Sequence, residues 1–286
     1  MSYQKLNKVL SAPMILSTLL VIAKLVVFKI DGSLSILSLC IDSMFDLVSS
    51  SVLLIAYNYS IKEKNDSYKY GFYGIADIAA VCVSVFVLVT VYFIYKTAFI
   101  NIINKKFLHY SGATIFVMLI SSLISFIIIL ILNKSCKAND NLILKSEIAH
   151  YGADGLTNFG VFLSIIFCKF VYNHYLIDPI IAIIMTLFIL KPVFEVMISA
   201  INNMMAKEIE SSKKDIIIGI ITENKDIISY SDLRTRRSGD RIFIQVKVQL
   251  DKDKTFVDVH NIIRQLKKDI QISIDNSEII IHACPA

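Results

Sequence analysis

The chain carries little charge for its length, and this scarcity is the first constraint on its class. Only 19% of its 286 residues are Asp, Glu, Lys or Arg, whereas 55% are hydrophobic and the mean hydropathy is +0.64. Ordinary soluble domains of this length are less apolar. The composition therefore predicts a membrane protein.

Three other signals are missing. The five cysteines have no paired spacing, so we expect no disulfide framework. No interleaved basic and aromatic residues indicate a nucleic-acid surface, so we expect no nucleic-acid partner. The first apolar run is long and no small-residue cleavage site follows it, so we expect this run to remain in the mature protein.

Apolar runs long enough to cross about 30 Å of hydrocarbon as helices recur along the first two thirds of the chain. We predict six spans: Met14 to Ile30, Ser33 to Tyr57, Ala76 to Tyr95, Gly112 to Leu132, Ile148 to Phe170 and Tyr175 to Ala200. With six spans both termini lie on one side. Eight Lys residues lie on the side of the termini and four on the opposite side, where Lys105 and Lys106 are the clear exception. Because cytoplasmic segments carry an excess of Lys and Arg, this count predicts cytoplasmic termini.

The character of the sequence changes at Lys207, where charge rises and β-rich runs begin. Arg241 to Leu250 alternates with the period of a half-buried strand, and Val257 to Ile270 has apolar residues at helical spacing. With a helix before them and strands on either side, the predicted order is α-β-β-α-β. We therefore predict a transmembrane domain at 1–206 and a cytoplasmic α+β domain at 207–286.

Two carboxylates four residues apart, Asp42 and Asp46, lie inside the second predicted span. An acidic side chain at this depth is costly and normally faces the interior of a bundle with a partner. The fifth span supplies a second pair at the same spacing, His150 and Asp154. Residues at i and i+4 share a helix face, so these two helices can present three carboxylates and an imidazole to one divalent ion. Ligand type alone leaves Zn²⁺, Fe²⁺, Mn²⁺ and Cd²⁺ open.

At this point the sequence resembles a known family. The stretch from Lys24 to Asp46, the H-x-x-x-D motif at 150–154 and D-L-R-T-R-R-S-G at 232–239 are similar to the cation diffusion facilitators, in particular to the bacterial ferrous-iron and zinc efflux branch. The similarity runs in order along almost the whole chain. The resemblance implies a homodimer of six-helix protomers in the bacterial inner membrane that exports divalent metal by alternating access in exchange for protons.

The resemblance also implies site residues. Asp42, Asp46, His150 and Asp154 stand at the family's transport-site positions, and three Asp with one His favours zinc or iron over manganese and leaves cadmium open. Members of this branch have a second metal site, formed by one Asp and two His, in the loop between spans two and three. Here only Asp66 of that set is present, because Lys69 and Tyr73 replace the histidines, so we expect this metal site to be absent.

In the tail, the resemblance implies a metal site of which part remains. His260 and His282 match ligand positions, Cys284 stands where Asp is usual, and Ser231 and Lys247 replace two histidines. Two interpretations of these residues therefore stay open. His260, His282 and Cys284 either bind a structural zinc ion, or they are incidental polar residues at the ends of a C-terminal strand. We expect no other cofactor.

Two further polar residues have two interpretations each, and a third has one. Lys24 either has a role in function or extends its ammonium to the membrane surface. Glu147 either attracts cations or, as we favour, complements the dipole in the first turn of the fifth helix. Asn158 is a candidate donor to the Asp154 carboxylate.

Two other classes of function were weighed. An intramembrane metal-dependent hydrolase needs a general base beside an open metal position, but the sequence has no H-E-x-x-H and no spare acid near the predicted site. A membrane-tethered sensor acting through His260, His282 and Cys284 leaves Asp42 and Asp46 unexplained. We therefore predict a transporter of metal ions and not an enzyme.

Overall fold

A computed structural model of the chain describes residues 3–31, 34–105, 112–137, 141–170 and 176–286. Lys106 of the charge count, and the first residues of two predicted spans at Ser33 and Tyr175, lie outside these ranges. The described residues form two compact units, Met1–Ala200 and Ile201–Ala286.

Six long helices, each of 25 to 30 residues, make up the first part of the described chain. Their bounds are α1 Tyr3–Asp31, α2 Leu34–Ser60, α3 Gly74–Ile103, α4 Gly112–Cys136, α5 Leu142–Phe170 and α6 Ile177–Met204. Most of them extend beyond the predicted apolar runs, because hydrogen bonding along the backbone continues into polar flanking residues.

Five of these described helices are long and apolar enough to cross a membrane: α1, α2, α3, α4 and α6. The exception, α5, has 29 residues but carries Lys145, Glu147, His150 and Asp154 in its first half. The prediction of a sixth span therefore stands on the length and packing of α5 and not on its hydropathy.

Apolar side chains fill the contacts between the helices. One buried apolar cluster has members from each of the helices α1, α2, α3, α4 and α5, with Leu53 and Leu132 fully buried. A second cluster joins α3, α5 and α6 around Ile189. Large apolar side chains also cover the outer surfaces, for example Phe99 and Phe188 at 64% and 66% exposure. An outer surface of this kind matches hydrocarbon rather than water.

The C-terminal unit has the elements α7 Ser211–Glu223, β1 Ser229–Ser238, β2 Arg241–Leu250, α8 Phe256–Ser273 and β3 Ser277–Pro285. The sheet order is β1-β2-β3, with β1 antiparallel and β3 parallel to β2. The inward side chains of β2 pack with apolar residues of α7 and α8. The predicted fold class, a helical membrane region followed by an α-β-β-α-β domain, is confirmed.

Candidate metal centre

Two helices bring together three of the four side chains predicted to bind metal. Asp46 comes from α2, and His150 and Asp154 come from one face of α5. Nε2 of His150 lies 3.6 Å from Oδ1 of Asp46 and 3.6 Å from Oδ2 of Asp154. One ligand atom from each of the three lies within 4.8 Å of the other two.

Three polar atoms of this cluster have no hydrogen-bond partner among the described residues. Both ring nitrogens of His150 and Oδ2 of Asp154 are buried without one, and the His150 side chain is only 7% exposed. Burying such atoms unpaired is costly. Ligands at about 2.1 Å from a tetrahedral ion lie about 3.4 Å apart, close to the observed separations. The cluster can therefore accept a divalent cation with little rearrangement.

Asp42 does not join this cluster in the structure. It lies one turn before Asp46, about 6 Å along the axis of α2, and it is exposed. A shared helix face does not by itself bring both carboxylates to the same point on a neighbouring helix. As a ligand, Asp42 therefore remains a prediction.

Glu147 lies in the interior, which the sequence analysis did not anticipate. The first turn of α5 contains no acidic residue, because the helix begins at Leu142 and the backbone N–H of Ile143 donates to the Asn141 side chain over 2.8 Å. The favoured interpretation of Glu147 as a dipole partner in the first turn was therefore wrong. Asn141, a good N-cap residue, was the signal that marked the true start.

The Glu147 carboxylate has one hydrogen bond in its buried position. Oγ of Ser50 donates to its Oε2 over 3.2 Å, whereas its Oε1 has no partner. The same Ser50 Oγ lies 2.9 Å from Oη of Tyr151, which is 2.6 Å from Oγ of Ser17. These hydroxyls connect α1, α2 and α5 one turn from the three-residue cluster, and the sequence analysis did not identify them.

Of the two interpretations of Lys24, the structure excludes the extension to the membrane surface, and Asn158 differs from expectation. Lys24 is only 3% exposed, and its Nζ donates to Oγ of Ser43 over 2.6 Å. Its ammonium is therefore held inside the helix bundle and does not extend to the surface. Asn158 donates to the backbone oxygen of Asp154 over 2.8 Å and not to the carboxylate, so the prediction of its role was wrong.

The structure does not bring the three predicted tail ligands together. His282 and Cys284 lie two residues apart on β3, where they pair with Lys247 and Gln249 on the exposed face of β2. His260 is exposed on α8, which packs against the opposite face of the sheet. Within one chain the sheet separates His260 from the other two.

An ion-pair group occupies the exposed face beside His282. Nζ of Lys247 lies 3.1 Å from Oδ2 of Asp232, and Nε of Arg234 donates to Oδ1 over 2.8 Å. Hydrogen bonds from Lys247 and Arg234 hold the pKa of Asp232 below its usual value. Asp232 lies in a β-bulge with a φ of 55°, a backbone conformation that Asp tolerates better than most residues.

The Asp66 loop contains a similar pair. Nζ of Lys69 lies 2.7 Å from Oδ1 of Asp66, and both side chains are largely exposed. A cation therefore stands beside the carboxylate where a metal would need another ligand.

Two family models together cover nearly the whole chain. Residues 12–205 match the cation efflux transmembrane domain, and residues 209–286 match the cytoplasmic domain of cation efflux proteins. The chain belongs to the cation efflux family. It is accordingly an integral membrane protein.

Curated relatives in the cation efflux family match over similar lengths. The cation-efflux pump FieF of Citrobacter koseri is 23% identical over 96% of this chain and 91% of its own. FieF of Shigella flexneri is 23% identical over 94% of this chain and 89% of its own.

A solved structure also matches part of the chain. It is described as the metal-bound C-terminal domain of the CzcD transporter from Thermotoga maritima. It is 23% identical, covers 26% of this chain and 87% of that chain, and has a TM-score of 0.25. A score this low does not establish a shared fold.

Proposed function

We propose that this cation efflux protein exports a divalent metal ion, Zn²⁺ or Fe²⁺, through a transport site at Asp46, His150 and Asp154. Asp42 is the fourth ligand in this proposal and joins when α2 shifts during the cycle. The single observation that carries it is the meeting of these three side chains between α2 and α5, where His150 and Asp154 have buried ligand atoms without hydrogen-bond partners.

The donor set supports a divalent transition metal as cargo. Two carboxylates and one imidazole combine negative charge with a nitrogen ligand, a mixture that suits zinc and ferrous iron. Carboxylate and carbonyl oxygens are the ligands that suit magnesium, calcium and manganese, so His150 supports zinc or iron over those ions. Cadmium is the next candidate.

Protons replace the metal in the proposed cycle. Carboxylates left empty inside a helix bundle are costly as anions, and metal release frees ligand atoms that protons can occupy. Metal enters from the cytoplasm, the bundle opens outward, and external protons take its place before the return. This direction yields export wherever the outer side is the more acidic one, as at a bacterial inner membrane.

The remaining parts of the proposal concern assembly. We place both termini in the cytoplasm and divide the chain into a transport domain at 1–206 and a tail at 207–286. The match of residues 209–286 to the cytoplasmic domain of cation efflux proteins supports a homodimer joined partly through this tail. Transport is proposed rather than catalysis, because Asp42, Asp46 and Asp154 all serve as ligands in this proposal and the matched family models are those of cation efflux proteins.

Transport by reconstituted protein tests this function. In liposomes with an acidic interior, the parent is expected to take up zinc, and Asp46→Ala is expected to retain less than about a tenth of the rate, because a metal ligand is lost. Asp66→Ala is the matched control, since it removes an exposed acid outside the cluster.

Equal flux through the parent and Asp46→Ala would contradict this assignment of the site. Competition among Zn²⁺, Fe²⁺, Mn²⁺ and Cd²⁺ in the same assay identifies the preferred cargo. A flux that does not respond to the pH gradient would remove the proton exchange but leave the metal site in place.

A further inference from the structure

Lys24 is the one buried lysine among the side chains that the structure describes, and it lies beside the candidate metal centre. Its side chain crosses from α1 to α2 and ends on Oγ of Ser43, which is itself 1% exposed. Long lysine stems in membranes normally reach for the surface. A lysine held inward requires negative charge close by.

The position of Ser43 on α2 indicates which charges are close. It follows Asp42 directly and lies three residues before Asp46, so Ser43 and Asp46 share a helix face one turn apart. The acidic groups whose charges act on the Lys24 ammonium are Asp46, then Asp42, then Asp154. All three are carboxylates of the proposed transport site.

The formal charges of these groups add to a specific value. With Asp42 counted as the proposed fourth ligand, although it is exposed in this structure, three carboxylates carry −3, neutral His150 adds nothing, and Lys24 contributes +1, so the empty site has a charge of −2. A divalent cation brings the site to neutrality, which is the least costly state for a group of charges buried in a medium of low dielectric. Without Lys24 a divalent ion would leave one negative charge uncompensated.

We propose that Lys24 sets the affinity and turnover of the transport site by acting as a fixed internal cation that matches its charge to a divalent ion. This inference rests on the proposed function, because it takes the three carboxylates as the transport ligands. Lys24 does not coordinate the cargo. It limits how tightly the ligands hold a divalent ion, and so permits release within each cycle.

A purely structural role is the alternative, in which Lys24 only ties α1 to α2. The structure provides a variant that separates the two roles. Ser43→Ala removes the hydrogen bond between the helices but leaves the ammonium charge, whereas Lys24→Met removes the charge and keeps a side chain of similar length. Lys24→Gln removes the charge but keeps a donor for Ser43.

The test measures zinc affinity of the full chain in detergent by competition with a fluorescent chelator, and zinc flux in liposomes. Lys24→Met and Lys24→Gln are expected to bind zinc at least about tenfold more tightly, because an opposing charge has been removed, and to show a lower maximal flux at a lower half-saturating concentration. Lys24→Arg and Ser43→Ala are expected to stay within about threefold of the parent in affinity.

The proposal is overturned if folded Lys24→Gln binds zinc no more tightly than the parent, or if Ser43→Ala reproduces its effect. Asp154→Ala in the same assay keeps the two hypotheses separate. Loss of zinc binding in Asp154→Ala with unchanged affinity in Lys24→Gln removes only the role of Lys24. Full zinc binding in Asp154→Ala would remove the transport site itself.

Discussion

Acidic side chains lie close to other candidate metal ligands in both compact units of this protein, but their surroundings differ. Between α2 and α5, His150 and Asp154 have buried atoms without hydrogen-bond partners. On the sheet of the tail, Asp232 is exposed and bound by Lys247 and Arg234. An unpaired polar atom costs much free energy in the buried helix cluster and little on the exposed sheet, because water solvates only the sheet surface.

This difference explains why similar residue types predict a cation site in one unit and only surface pairing in the other. A buried cluster with unpartnered ligand atoms gains stability when a cation binds. The Asp232 carboxylate already has its cations in Lys247 and Arg234, so a metal would have to displace them. Lys247 therefore neutralises a carboxylate at the protein surface, as the metal cargo is proposed to do between α2 and α5.

The largest effect is expected from substitutions that give the exposed face of the tail's sheet a set of metal ligands. Ser231, Lys247 and His282 form one row across the three strands, so Ser231→His with Lys247→His would place three imidazoles side by side, near Cys284. Neighbouring Cα atoms in such rows are about 5 Å apart. We expect one additional zinc or cobalt ion per chain, with visible cobalt absorption that the parent's tail lacks.

The measurement uses a background of Asp46→Ala and Asp154→Ala, so that the membrane cluster does not contribute. The single change Ser231→His, which keeps Lys247, is the control and is expected to bind more weakly than the double variant. Equal binding by the single and double variants would show that Lys247 does not block the site.

A smaller effect is expected from neutralising Glu147. An ionised carboxylate with one unpartnered buried oxygen destabilises its surroundings, whereas Gln keeps the acceptor for Ser50 without the charge. We expect Glu147→Gln to raise the thermal midpoint at alkaline pH by about 3 °C, measured by unfolding of the detergent-solubilised chain.

Ser50→Ala is the matched change, because it removes the one hydrogen bond to Glu147 and should lower the midpoint. Zinc affinity of Glu147→Gln is expected to remain close to that of the parent. A strong loss of zinc binding would instead make Glu147 a ligand, and the three-residue cluster would then be incomplete.

The smallest effect concerns Asp232 in the tail. Because its folded-state pKa is lowered by Lys247 and Arg234, its ion pairs stabilise the tail at pH values above 3.8, the ordinary pKa of the carboxyl group. This stabilisation is lost as the pH falls through the lower folded-state pKa. Asp232→Asn, which also tolerates the positive φ, should speed amide exchange of β1 and β2 slightly at neutral pH.

Hydrogen–deuterium exchange of the full chain at several pH values checks this. The difference between parent and variant should shrink toward zero below pH 3.8. A difference that persists unchanged in acid would mean that the side chain acts through backbone conformation and not through its charge.

Much of the tail could be predicted from local patterns. Strand β2 has the predicted bounds of Arg241 and Leu250, because buried and exposed side chains alternate from Ile244 to Leu250. Helix α8 extends the predicted run by one residue at the start and three at the end, since Thr255 caps it and polar residues continue its last turn. Neither a cap nor a frayed end shows in apolar spacing.

The candidate site was predicted only in part. The spacing of His150 and Asp154 places both on one face of a helix, and this face is observed. The spacing of Asp42 and Asp46 says nothing about which of them lies level with His150. The buried positions of Lys24 and Glu147 were also missed, because a polar residue in an apolar run is equally compatible with a surface-reaching and an inward side chain.

The amino-acid sequence alone predicts a membrane protein of six long helices, an α-β-β-α-β tail and two pairs of candidate metal ligands. These properties depend on composition and on periodicity within single elements. The folded structure was needed to show that three of the four residues meet, that Lys24 points inward and that His260 lies apart from His282 and Cys284. Those outcomes depend on the packing of helices distant in sequence and on strand register, which no local pattern encodes.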